Sequence, residues 1–403
     1  MPPLQENRTV RVPGLGGWKI RNPNPPAAAE ADQASSERGG HDAPAGDGAT
    51  RRPEVDSKSE ILGTGVRVVL VRLSALGDIV HTWPLACALA ASESPLHLSW
   101  VVEEPLKTLV EGHPAVDSVF SARTGRWRRR PLAAATRSEV AALKTRMREL
   151  QPDLAIDPQG TSKSAMVVRW TGAERRIGLA RPWRRERLAG LAYTDTVRGA
   201  TGQAHVVATN LAMVAAVGTM IPELSPPDGS WLLDRVGDRA PSGDWSSPYA
   251  VVLPGAGGAH KVLAASTIAE VARGLAADGL EVVVGWGPGE ESRATAVVEA
   301  AGNGVYMAPQ TDLGELAALL GGAALVLGGD TGPVHLAASF GSPTLAVFLA
   351  SDWRRNGPLG NRTAVVSGAA DAPASPSGTA RTRPRREVSS AEILESARGL
   401  LAR

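Results

Sequence analysis

Along most of the chain, short apolar runs closed by turn residues alternate with longer stretches of helical periodicity. The run VRVVLVR (66 to 72) is apolar on both faces, which suits a strand covered on both sides. An Ala/Leu-rich helix is predicted from Asp78 to about Ala91. The strands LHLSWVVEE, VDSVF and DLAID (153 to 157) follow, with PLKTLVEG and SEVAALKTRMREL as helices between them. GTSKSAMVVRW reads as a helix, RRIGLA as an edge strand and AHVVATNLAMVAAVG as one long helix. A Pro/Gly/Ser-rich stretch (222 to 248) interrupts the pattern, and the alternation restarts at YAVVLPG. The helix STIAEVARGLAADG, with Ser266 as its N-cap, leads to the strand LEVVVGWG. EESRATAVVEAAG, DLGELAALLGG and GPVHLAASFG are then helices, and GVYMAP, AALVLGG and PTLAVF strands.

Strands alternating with helices imply parallel sheets with helices on both faces, so the fold class is α/β. Two such series predict two doubly wound, Rossmann-like domains, at 65–235 and 236–366. Ligands of such sheets bind beyond the carboxyl ends of the strands, which puts the site in the cleft between the domains. Residues 1–64 are rich in Pro, Ala, Gly, Ser and charge, and are expected to be a disordered arm. Residues 367–403 are expected to form a loose loop and a last helix from Ser389 to Leu401.

Composition narrows the function classes. With 43% hydrophobic residues and only 4% aromatics, the core is built mainly from Ala, Val and Leu. A net charge of +2 does not suit a protein driven as a whole onto polyanions. The single cysteine, Cys87, excludes an intramolecular disulfide, and its apolar helical setting reads as a small buried hydrophobe. No apolar run reaches the ~18 to 20 residues of a membrane-spanning helix, and the N-terminus lacks a signal-peptide pattern. The expectation is a soluble cytoplasmic protein.

Four segments can carry chemistry. In RLSALGDIVHTWP (72 to 84), Gly77 permits a tight turn and Asp78 stands at a helix start, as a cap or as a base. In LPGAGGAHK (253 to 261), three glycines free backbone N–H groups and Lys261 adds a positive charge, an arrangement for phosphate. In LGGDTGPVHLAASFGSPTLAVF (327 to 348), Asp330 and Thr331 follow a strand, while Gly332 and Pro333 open a helix. Its free N–H groups suit a diphosphate, and His335 lies one turn in, either structural or touching the ligand. In GWGPGEESR (285 to 293), Glu290 is placed to hold ribose hydroxyls or to serve as a helix-end charge. The basic runs RTGRWRRR (123 to 130) and RRIGLARPWRRER (175 to 187), with Lys163, suit solvated loops or an anionic acceptor. Nucleic acid is not expected, since aromatic platforms are sparse and no nucleic-acid fold signature is present.

In this order the motifs SALGDIVHTWP, WVVEE, DPQGTSKSA and DTGPVHLAA resemble glycosyltransferase family 9, the heptosyltransferases, from about Val66 to Leu359. The resemblance implies a GT-B fold whose N-terminal domain holds a lipopolysaccharide core acceptor and whose C-terminal domain holds ADP-heptose. It implies transfer with inversion, without a metal or other cofactor. Asp78 would be the general base. Lys261, Asp330, Thr331 and Gly332 would hold the diphosphate with His335 in support, Glu290 the ribose and Thr311 the adenine. Lys163, Arg126, Arg128 and Arg129 would meet an anionic, lipid-linked glycan, with peripheral contact at the inner face of the inner membrane. Leu263 stands where the family usually has Trp, and Ala256 and Gly257 replace a pair of hydroxyl residues. Two other functions stay open: transfer of a different nucleotide sugar to a surface glycan, and non-catalytic sugar-nucleotide binding.

Overall fold

The computed structural model describes residues 65–402, apart from 94, 202–204, 242, 244, 246–247, 259–260 and 369–385. The predicted disordered arm and most of the predicted loose loop therefore lie outside the described residues.

Six parallel strands form the first sheet: β1 (Val66–Val71), β2 (Leu96–Glu103), β3 (Ser118–Ala122), β4 (Leu154–Asp157), β5 (Arg175–Leu179) and β6 (Asp195–Val197). Their spatial order is β3-β2-β1-β4-β5-β6. The second sheet comprises β7 (Tyr249–Leu253), β8 (Glu281–Val284), β9 (Val305–Met307), β10 (Leu325–Gly329), β11 (Thr344–Phe348) and β12 (Thr363–Ser367). It is also parallel throughout, in the order β12-β11-β10-β7-β8-β9. Each sheet thus reverses its direction of growth beside its first strand, between β1 and β4 and between β7 and β10. At such a switch point the loops diverge and leave a crevice.

The continuous apolar runs are explained by burial on both faces. Val68 and Leu70 of β1 point into one core, Val69 and Val71 into another. In β7, Val251 and Leu253 join the same core as Val68, whereas Ala250 and Val252 face outward helices. The inner faces of the two sheets therefore share one apolar core, bridged by Trp83, Leu232, Leu320 and Leu336. Each of the three leucines contributes on the order of 1.5–3 kcal/mol when fully buried.

Several elements differ from expectation. The helix from Asp78 to Ala91 is two helices, Leu76–Val80 and Trp83–Ala90. Pro84 cannot continue the first, because it has no N–H and its ring would meet the carbonyl of Val80. The strand β5 is internal, since the short polar β6 pairs outside it. Its companion β12 and the helix Ser230–Val236 also went unread. The long helix is α-helical over Val206–Leu211 and tightens to a 3₁₀ turn ending at Gly218, whose φ is 75°. Ala264, not Ser266, caps the helix Ala265–Ala277. Cys87 is exposed rather than buried. The last helix, expected from Ser389 to Leu401, runs over Ser390–Leu401 with Ser389 as its N-cap, and covers the second sheet with Ile393, Ala397 and Leu400.

Candidate active site

Arg72 directly follows β1, whose last four residues are apolar, and is 3% exposed. Its guanidinium donates to the Pro158 carbonyl at 2.9 Å and pairs with Asp78 at 2.6 Å. Asp78 lies in the first turn of Leu76–Val80, where its other oxygen accepts the Ala75 N–H at 3.2 Å and faces Arg185 at 3.7 Å. Burial alone would raise this carboxyl's pKa, but Arg72, Arg185 and the Ala75 N–H outweigh it and hold Asp78 below its ordinary value. The carboxylate is therefore charged at neutral pH.

The loop after β4 locks this arrangement from the other side of the switch point. Gln159 Oε1 accepts the Leu73 N–H at 2.8 Å, and buried Asp157 accepts the N–H groups of Gln159 and Gly160. Thr161 caps the helix Ser162–Trp170, which carries Lys163. Lys163 reaches Ser74 Oγ at 3.2 Å and Glu103 at 3.3 Å. Glu103, at the end of β2, also holds the N–H and hydroxyl of Thr124.

On the second sheet, four loops line the carboxyl edge. Thr311 follows β9, Glu290 follows β8, Lys261 follows β7, and Asp330 with Thr331 follows β10. Lys261 pairs with Asp330, whose carboxylate also accepts the Ser351 hydroxyl at 2.5 Å. Glu290 folds back to accept the Gly287 N–H at 3.0 Å and lies so close to Gly255 that a Cβ there would overlap its carboxylate. Thr331 is the N-cap of Gly332–Ser339, but its hydroxyl makes no capping bond, and Pro333 lacks an N–H. The positive end of this helix opens toward Asp330 and Lys261.

The two edges touch. A Cβ on Gly77 would lie 2.6 Å from the His335 ring and 3.4 Å from Gly332 Cα. Behind this contact His335 packs on His81 with ring centroids 4.4 Å apart, and His81 packs on His205 at 5.1 Å. Burial lowers the pKa of all three, that of His205 to about 4. His205 bridges the Val207 N–H and the Gly357 carbonyl, which ties the first sheet's last helix to the second sheet. Arg355, from the helix Trp353–Asn356, lines the pocket around Asp78 together with Arg72 and Arg185.

Asp78, Lys163, Lys261, Glu290, Asp330, Thr331, Gly332 and His335 all lie along the two facing edges. Thr311 stands one strand beyond Glu290. The predicted acceptor arginines are less central. Arg126 pairs with Glu139 at 3.2 Å, and Arg128 and Arg129 are exposed on the short helix Thr124–Arg129. Arg355 and Ser351 were not singled out in the sequence, Arg72 and Glu103 fell within quoted motifs without a role of their own, and Arg185 fell within the basic run 175–187. A charge closing an apolar strand could have flagged Arg72, whereas Arg355 is far from Asp78 in the chain and has no local signature.

Two facing Rossmann-like sheets, with a half-buried carboxylate on one edge and Lys261 beside a helix N-terminus on the other, have the architecture of a GT-B glycosyltransferase. The family model for glycosyltransferase family 9 (heptosyltransferase) matches residues 140–383, and the chain belongs to that family. Lipopolysaccharide heptosyltransferase 1 of Pseudomonas aeruginosa is 32% identical over 283 residues, 70% of this chain and 78% of the relative. The solved E. coli heptosyltransferase WaaC with ADP is 27% identical, with a TM-score of 0.68 over 83% of this chain and all of that one. The E. coli ADP-heptose lps heptosyltransferase II structure, 19% identical with a TM-score of 0.61, covers 84% of this chain and 99% of that one and shares the fold.

Proposed function

We propose that this glycosyltransferase moves heptose from ADP-heptose to a lipopolysaccharide inner-core acceptor carrying Kdo (3-deoxy-octulosonic acid), at the cytoplasmic face of the inner membrane. The carrying observation is the order of loops at the second sheet's edge, read from β9 to β10 and then across to Asp78. Neighbouring strands lie about 4.8 Å apart, so four loops span roughly 15 Å, the reach of a nucleoside diphosphate. Along that line Thr311 meets adenine, Glu290 the ribose, and Lys261 with Thr331 and the Gly332 helix end the diphosphate. The sugar's anomeric carbon then projects toward the first sheet. An ADP-sugar donor is supported by the likeness to WaaC, whose solved complexes hold ADP and ADP-2-deoxy-2-fluoro heptose.

In the proposed step the acceptor hydroxyl oxygen attacks the anomeric carbon from the face opposite the diphosphate. Its proton passes to Asp78 as the new C–O bond forms, and the bond to ADP breaks with inversion. Lys261 and the helix N–H groups stabilise the charge growing on the leaving diphosphate, so protein groups supply the role that a divalent ion has in other transferases. Lys163 and the arginines around Asp78 receive the acceptor's carboxylates.

Release of ADP from ADP-heptose, measured with and without Kdo-lipid A in the presence of EDTA, tests the reading. Acceptor-dependent release is expected. No release from folded protein that still binds ADP would overturn it. A second reading, the same transfer from another nucleotide sugar, is favoured by Ala256 and Gly257, which offer no hydroxyl beside Asp330. A donor screen led by UDP- or GDP-sugars would support that one.

A further inference from the structure

The helix Ser162–Trp170 and the 3₁₀ turn Arg187–Ala192 pack together through small residues: Ala165, Ala189 and Ala192 form a buried cluster against Tyr193. That packing turns the larger apolar side chains outward. Leu188 is 70% exposed, Leu191 78% and Met166 44%. Arg169 reaches the Leu191 carbonyl at 3.5 Å, and Arg181 and Arg187 are exposed beside the same turn. Single exposed leucines are ordinary, but here three apolar side chains share one ridge bordered by guanidinium groups.

Charge separates this ridge from a second exposed apolar strip among the described residues. Met220, Ile221 and Leu224 are also exposed, but they stand with Glu223 and Asp228, and residues 199–234 contain no Lys or Arg. The ridge, in contrast, continues directly into the site. Arg185, which faces Asp78, is three residues before Leu188, and Glu186 accepts the Ser162 N–H at the start of the helix that carries Lys163.

We infer that the Met166–Leu188–Leu191 ridge, with Arg169, Arg181 and Arg187 around it, is a docking surface for an anionic lipid bilayer. Leucine and methionine enter the boundary between headgroups and acyl chains, while the guanidinium groups remain among the lipid phosphates. The inference rests on the transferase reading for its purpose: a lipid-borne sugar standing just above the bilayer would be presented at the rim of the Asp78 pocket.

The test is co-sedimentation of the full chain, without donor or acceptor, with vesicles of phosphatidylethanolamine and phosphatidylglycerol. Binding is expected, and Leu188→Ser with Leu191→Ser should lower the bound fraction on the order of tenfold or more. Arg169→Gln with Arg187→Gln should weaken binding and flatten its dependence on salt. All four side chains are exposed, so unchanged thermal unfolding serves as the folding control. Met220→Ser with Leu224→Ser should bind like the parent. Failure of the parent to bind, or equal binding by every variant, would overturn the inference. So would a solution dimer abolished by the leucine substitutions without vesicle binding, because the ridge would then cover a second copy of the chain. Vesicle binding needs no turnover: missing ADP release with vesicle binding intact would sink the transferase reading and leave the surface standing.

Discussion

Gly77 and Gly332 bring the facing edges of the two sheets into contact beside Asp78. A Cβ on Gly332 would lie 3.1 Å from the Gly77 nitrogen and 2.7 Å from Leu76 Cβ, and one on Gly77 would press into the His335 ring. Neither neighbour is a flexible side-chain end, so the backbone must yield. Gly77→Ala is expected to cost about 1–3 kcal/mol through overpacking. Because the displaced helix carries Asp78, turnover should fall far more than stability, by up to about a hundredfold for a shift near 1 Å. Thermal unfolding and kcat measured on the same variant check this. A drop in melting temperature with kcat unchanged would uncouple the contact from the chemistry.

Arg72 holds Asp78 ionised, so its loss should appear in the pH profile. Arg72→Met removes the strongest neighbouring cation from a carboxyl whose pKa is depressed in the folded state. The acid limb of kcat/KM should then move to higher pH. Stability should fall as well, because the half-buried carboxylate keeps only Arg185 and the Ala75 N–H as partners, and the effect has a definite sign. In the parent, stability from the depressed Asp78 pKa is present above the ordinary carboxyl value and is lost as pH falls through the lower folded value. An unmoved acid limb would mean that Arg72 does not set the charge of Asp78.

Lys261 neutralises Asp330 and stands beside the helix end. Lys261→Met should weaken ADP binding by about ten- to a hundredfold, roughly 1.4–2.8 kcal/mol, as read by calorimetry. Unchanged affinity would remove Lys261 from the diphosphate contact.

The alternation of strands and helices was legible in the sequence because strands buried on both faces must be apolar throughout, as in β1 and β7. Elements with little to bury were not legible. The strand β6 reads DTV and is mostly exposed, and Ser230–Val236 hides within a Pro-rich connector. The facing loops were found because Gly77, Gly257 and Gly332 mark turns that admit close approach. Arg355 and Arg185 reach Asp78 only through the tertiary fold, and no spacing rule links residue 78 to residue 355.

Acid should loosen the joint between the sheets. His81, His205 and His335 are buried and have folded pKa values below the ordinary 6.5, with His205 near 4. The unfolded chain therefore takes up these protons first, and stability present above pH 6.5 declines as pH falls toward the folded values. Each histidine contributes up to about 1.4 kcal/mol per pH unit in that window. His81 Nε2 has no partner among the described residues, so His81→Leu should make the decline shallower. Melting temperatures between about pH 7 and pH 4.5 would reveal this, and a variant slope equal to the parent's would contradict it.

In the proposed reaction Asp78 takes the proton from the acceptor hydroxyl, and Asp78→Asn separates that role from a structural one. The variant keeps the side chain's size and can still accept from Ala75 while losing the basic carboxylate. With ADP-heptose and Kdo-lipid A, turnover is predicted to fall by about 10²–10⁴-fold, with ADP affinity unchanged. Turnover within a few-fold of the parent would contradict the account and assign Asp78 to holding its helix in place.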